Sequence, residues 1–124
     1  MGKKILIVDD NETDMMIIKR YLFRAGYNEI VSAENVTEGI KKAEIEKPDL
    51  VILDTLLPDG SGFDICQAIR EKYNQANPKI IIITGSVDAV DAVRARKAGA
   101  DDYCAKTFDC APLLEALKII TGSV

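Results

Sequence analysis

The 124 residues make up one ordinary domain, and 48% hydrophobic with 29% charged residues excludes intrinsic disorder and collagen-like structure. Histidine is absent, so Ser-His-Asp and Cys-His catalysis and His-ligated zinc or haem are excluded; acid, base or metal chemistry must run on carboxylates, Lys, Tyr, Thr or Cys. With 16 Lys and Arg against 20 Asp and Glu, the net charge of -4 has the wrong sign for a chain that neutralises nucleic-acid phosphates, and no direct nucleic-acid partner is expected.

In chain order, Ile5-Leu6-Ile7-Val8 is a short apolar run stopped by Asp9-Asp10-Asn11, the pattern of a buried strand. It is far too short for a signal-peptide core or a membrane span, and Leu6 stands where a myristoylation signal needs Ser or Thr. Asp10 or Asn11 caps a helix over about Glu12 to Ala25, with Met15, Ile18 and Leu22 at helical spacing and Gly26 as its stop. A weaker strand follows around Glu29 to Ser32. Asn35 or Thr37 opens a second helix, with Val36, Ile40 and Ala43 on one face, which ends before Pro48.

Asp49 to Leu53 is the clearest strand, and it stops at Asp54. A loop from Thr55 to Ser61 with Pro58 and Gly60 then leads through Gly62 into a helix carrying Phe63, Ile65, Cys66 and Ile69 to about Tyr73. A polar connection over Asn74 to Lys79 precedes a fourth strand, Ile80 to Ile83, which ends at Thr84-Gly85-Ser86. A helix from about Asp88 to Ala98 stops at Gly99, a short strand fits Asp101 to Ala105, and Pro112 lies in the first turn of a last helix with Leu113, Leu114, Leu117 and Ile120.

Five strand–helix alternations without linker or repeat predict one α/β domain over residues 1–124, a doubly wound five-stranded parallel sheet covered by five helices. The commonest order for such a sheet is 2-1-3-4-5, with ligands at the carboxyl ends of the strands where the winding reverses. The residues at that edge are Asp9, Asp10, Asp54, Thr84 and Lys106. Each has a plain alternative: strand-end or helix-capping Asp, an Asx turn at Asp54, a backbone-bonded Thr84, a solvated Lys106. Together, three close carboxylates would raise one another's pKa values unless a cation offset them. With oxygen donors only, the expected ion is Mg²⁺ or Mn²⁺, which is held by carboxylates, waters and phosphate oxygens. Such a site expects a phosphoryl group that one carboxylate can accept as nucleophile, with an ammonium and a hydroxyl to neutralise its oxygens.

At this point the whole chain resembles the receiver domains of bacterial two-component response regulators, specifically the single-domain, chemotaxis-regulator-like kind. The carriers are Ile7-Val8-Asp9-Asp10, Lys47 to Asp54, Leu57-Pro58-Asp59-Gly60-Ser61-Gly62, Ile83-Thr84-Gly85 and Gly99-Ala100-Asp101-Asp102-Tyr103 followed by Lys106. The resemblance implies a flavodoxin-like fold and a phosphorylation-activated switch. It makes Asp54 the phosphoacceptor for a phosphoryl group from a partner histidine kinase or histidine phosphotransfer protein. Asp10, Asp54 and the Leu56 backbone carbonyl would ligate Mg²⁺ directly and Asp9 through water. Thr84 and Lys106 would contact the phosphoryl oxygens, and Tyr103 would follow Thr84, changing the surface of the fourth helix, fifth strand and fifth helix.

Two departures stand out. Thr107 occupies the place of the family's usual proline, whose peptide with Lys106 is cis there; here the bond is either trans or strained. Leu56, two residues beyond Asp54, has an apolar side chain that cannot orient a water, which predicts a long-lived phosphorylated state. Ser86 stands at the corresponding place beyond Thr84.

The Gly60-Ser61-Gly62 segment lacks a nucleotide-loop fingerprint and reads as turn glycines. Cys66, Cys104 and Cys110 match no metal or disulfide pattern and read as reduced cytoplasmic thiols, Cys104 as a small strand residue. A Mg²⁺-dependent aspartyl-phosphate phosphatase or phosphotransferase is the alternative of another class, but dehalogenase-like phosphatases carry a second Asp where Leu56 stands. A receiver-like module that is not phosphorylated is the third reading. The expected chain acts by docking to a downstream protein, as a monomer or weak dimer, unless the sequence is a fragment of a longer regulator.

Overall fold

The computed structural model describes residues 3–73 and 77–122. Residues 74–76, the first part of the expected polar connection, lie outside the described residues. The elements alternate as β1 (Lys4–Val8), α1 (Glu12–Arg24), β2 (Glu29–Ala33), α2 (Val36–Glu46), β3 (Leu50–Asp54), α3 (Gly62–Tyr73), β4 (Lys79–Thr84), α4 (Ala89–Ala98), β5 (Asp102–Ala105) and α5 (Ala111–Thr121). All strand pairs are parallel, in the order β2-β1-β3-β4-β5.

Side chains alternate between the two faces of a strand, and both faces here are apolar. Leu6, Val8, Val51, Leu53, Ile80 and Ile82 pack with Phe63, Ile65, Cys66 and Ile69 of α3, Ala43 of α2 and Ala95 of α4. Their neighbours Ile5, Ile7, Leu50, Ile52, Ile81 and Ile83 pack with Ile18 and Leu22 of α1 and with Leu113, Ala116 and Leu117 of α5. The three central strands are almost wholly buried, which explains why they read as unbroken apolar runs. Each fully buried Ile or Leu contributes about 1.5–3 kcal/mol.

Local signals set the helix ends. Asn11, rather than Asp10, caps α1 by accepting from the Asp14 N–H at 2.9 Å; Asn35, rather than Thr37, caps α2 through the Glu38 N–H at 2.8 Å. Asp59, from the loop after β3, adds its carboxylate to the Val36 N–H at 2.7 Å and so ties that loop to α2. β5 begins one residue later than expected because the Asp101 carboxylate turns back to accept from the Ile80 N–H at 2.8 Å and pairs with Arg70 at 3.0 Å. Helix α4 buries only Ala95, with Val90 and Val93 exposed.

Candidate functional site

The sheet brings the predicted residues to its carboxyl edge by register. Val8 pairs with Leu53, so Asp9 and Asp54 leave neighbouring strands side by side. Thr84 pairs with Ala105, and the Lys106 N–H donates to the Thr84 carbonyl at 2.8 Å, which starts the β5–α5 loop beside β4. The Lys106–Thr107 peptide is trans, which resolves the alternative that Thr107 left open.

Asp9 is fixed at both ends. Its N–H donates to the Ala33 carbonyl at 3.1 Å and its Oδ1 accepts from the Asn11 N–H at 2.9 Å. It therefore makes the local turn foreseen by its plain alternative and also faces the site. Its Oδ2 is buried and accepts no hydrogen bond, although Lys106 Nζ lies 2.8 Å away. Asp10 is exposed, and one ligand oxygen each from Asp9, Asp10 and Asp54 lie within 4.8 Å of one another. An unbonded buried carboxylate oxygen within an all-oxygen donor set fits a hard divalent cation.

Burial pushes the Asp54 carboxyl up to about 6; the Asp9 charge adds to this and Lys106 opposes it. Lys106 Nζ lies 3.2 Å from Asp54 Oδ2 and 2.7 Å from Asp14 Oδ2. Burial works against its charge, but the carboxylates of Asp14, Asp9 and Asp54 outweigh it and raise its pKa. Asp14, which the sequence reading did not single out, thus belongs to the cluster.

Thr84 is at the same edge but does not join the carboxylates. Alternation carries Thr84 to the α3 side of the sheet, where its hydroxyl accepts from the Thr55 hydroxyl at 3.2 Å and exchanges hydrogen bonds of 3.2 Å with the backbone of Ser86. The expected convergence of hydroxyl and carboxylates is therefore split between two faces, and Thr55 is a second residue that sequence reasoning missed. Tyr103 lies half-buried on the Thr84 side, and its hydroxyl accepts from the backbone N–H of Asp88, the α4 cap, at 3.3 Å. The Leu56 side chain is 78% exposed, and Ser86 is exposed as well.

Glycine matters most at Gly62. A Cβ there would stand 2.3 Å from the Asp54 carbonyl oxygen, so α3 can begin this close to the phosphoacceptor candidate only without a side chain. The three cysteines are free; burial pushes Cys66 up to about 11 and Cys104 up to about 12, which leaves inert thiols, as a small strand residue at 104 implies. Among the described residues no helix is long and apolar enough to cross a membrane.

The sequence matches the family described as response regulator receiver domain over residues 5–118. It is 39% identical over 108 residues to the alkaline phosphatase synthesis transcriptional regulatory protein PhoP of Bacillus subtilis, covering 87% of this chain and 44% of that protein. It is 34% identical over 121 residues to the chemotaxis protein CheY of Thermotoga maritima, covering 98% of this chain and 99% of that one. The solved CheY-like receiver domain protein from Methanospirillum hungatei superposes with a TM-score of 0.87 at 32% identity, covering 98% of this chain and 95% of that one. The chain spans about half the length of several relatives, 44% of PhoP and 49% of the regulatory protein VanR of Enterococcus faecium.

Proposed function

The chain belongs to the response regulator receiver domain family, and on that premise we propose that Asp54 is the residue its phosphorylation-dependent switch turns on. The donor is a phosphohistidine on a histidine kinase or histidine phosphotransfer protein. The chain carries no histidine of its own and is a signalling switch rather than an enzyme turning over an external substrate.

The observation that carries this reading is the convergence on one buried carboxylate: Lys106 Nζ stands 3.2 Å from Asp54 Oδ2, and Asp9 and Asp10 offer ligand oxygens within 4.8 Å. Asp54 attacks phosphorus as a carboxylate; the new O–P bond forms as the P–N bond to the donor imidazole breaks. Asp9, Asp10, Asp54 and the Leu56 carbonyl would hold Mg²⁺ or Mn²⁺, which supplies neutralisation of the phosphoryl charge. Lys106 meets that charge from the α1 side, and Thr84 reaches it by leaving Thr55 and Ser86. Tyr103 lies against the α4 cap, so movement of Thr84 frees the ring to change the α4-β5-α5 surface that a downstream protein reads. Contacts formed in only one state shift a two-state population; a bias of about 3 kcal/mol moves the ratio roughly a hundredfold. The switch acts as a monomer or weak dimer in the cytoplasm.

Mass spectrometry after incubation with acetyl phosphate and Mg²⁺ tests the reading. One added phosphoryl group, absent in Asp54→Asn and absent with a chelator, is expected; an unmodified native chain would overturn it.

A further inference from the structure

An ammonium has three N–H donors, and three carboxylates surround Lys106 Nζ: Asp14 at 2.7 Å, Asp9 at 2.8 Å and Asp54 at 3.2 Å. Lys106 Nζ donates hydrogen bonds to Asp14 and Asp54, while Asp9 Oδ2 stands at ion-pair distance without accepting one, so a phosphoryl oxygen arriving on Asp54 competes with Asp14 for the ammonium. Asp9 and Asp54 are enclosed, with side chains 0% and 10% exposed, whereas Asp14 is 37% exposed and can pass to water at the least cost. Packing does not decide where the ammonium sits. Lys106 borders a cavity of about 410 Å³ between α1 and the β5–α5 loop, walled by Ile17, Ile18, Ile83 and Leu113. Thr107 turns its hydroxyl away, to Asp109 Oδ1 at 2.9 Å. The shortest bond to Lys106 therefore comes from the first turn of α1, outside the acid trio.

We propose that Asp14 is a positioning residue for phosphoryl transfer: in the unphosphorylated chain it holds Lys106 toward α1, and it competes with the incoming phosphoryl oxygens for the ammonium. The proposal rests on Asp54 as phosphoacceptor. Asp14 acts through Lys106 as a built-in restraint that lowers both the rate of phosphorylation and the stability of the phosphorylated state. Release of Asp14 to solvent is then part of the switch.

The test uses beryllofluoride with Mg²⁺ as phosphoryl mimic, acetyl phosphate as donor, and the ¹⁵N signal of the Lys106 ammonium in the native chain. Asp14→Asn is expected to tighten beryllofluoride binding and speed phosphorylation by about threefold to tenfold, the scale of one partly exposed charged hydrogen bond. Asp14→Glu should restore native behaviour, and in a Lys106→Met background Asp14→Asn should change little. The ammonium signal should move in Asp14→Asn and return in Asp14→Glu. Slower or unchanged phosphorylation in Asp14→Asn, or the same gain without Lys106, would overturn the proposal. A native chain that accepts neither acetyl phosphate nor beryllofluoride would overturn the phosphoacceptor reading instead; an ammonium signal unmoved by Asp14→Asn refutes the tether in either case.

Discussion

The hydroxyl of Thr55 donates to the hydroxyl of Thr84 across 3.2 Å, and both residues are buried. Thr84 also accepts from the Ser86 N–H and donates to the Ser86 carbonyl, so its hydrogen-bonding capacity is taken up on the side of the sheet away from Asp54. A phosphoryl oxygen can only accept, so Thr84 reaches it by taking its hydroxyl proton from the Ser86 carbonyl, and its movement there also breaks the bond from Thr55.

Thr55→Val removes that bond while keeping the shape, and Thr84 retains both Ser86 partners. We expect beryllofluoride to bind about fivefold more tightly, corresponding to a net hydrogen bond of about 1 kcal/mol. Titration followed by amide chemical shifts measures it. Weaker binding would show that Thr55 supports the active arrangement instead.

Asp54 gives stability a definite pH dependence in the metal-free protein. Its carboxyl titrates near 6 in the folded chain against 3.8 for a free one. Between these values the folded chain keeps a proton that the unfolded chain has lost, so stability falls as pH rises from about 4 to about 6. The loss is on the order of 3 kcal/mol. Asp54→Asn should therefore be more stable than native at pH 8 in chelator, with the gap narrowing toward pH 5, as read by urea denaturation. A gap independent of pH would place the destabilisation elsewhere.

Gly62→Ala inverts the usual helix preference. In an ordinary helix alanine is favoured over glycine by about 1 kcal/mol. Here the added Cβ meets the Asp54 carbonyl oxygen at 2.3 Å and the Leu53 Cβ at 3.0 Å, both on or next to backbone that cannot swing aside. The expected result is a loss of about 1–3 kcal/mol, the scale of overpacking, together with slower phosphorylation. Thermal unfolding decides the sign.

The exposed, apolar Leu56 offers no group to orient a hydrolytic water. The phosphorylated chain should persist for minutes or longer, and Leu56→Asn should shorten its lifetime about tenfold by positioning the attacking water. Decay of labelled protein measures both; a native half-life of seconds would contradict this account.

Much of the site was legible because its residues end apolar strands: Asp9 follows Val8, Asp54 closes β3 and Thr84 closes β4. Asp14 was not legible, since an acidic residue in the first turn of a helix reads as a partner of the helix dipole. Its bond to Lys106 joins positions 92 residues apart, which no local pattern reports. Thr55 was hidden for a similar reason: a threonine opening a loop carries no periodic signal, and its partner lies 29 residues away.

By itself the sequence determined the alternation of strands and helices, the parallel sheet and the acidic edge, because burial on both faces demands unbroken apolar runs and polar residues must end them. It also marked Asp54, through the motifs around it. Only the tertiary structure decided which side of the sheet each edge residue serves. Register and strand alternation send Asp9, Asp54 and Lys106 toward α1, and Thr55, Thr84 and Tyr103 toward α3 and α4. That division depends on how loops leave five neighbouring strands, and long-range packing fixes it where local propensity is silent.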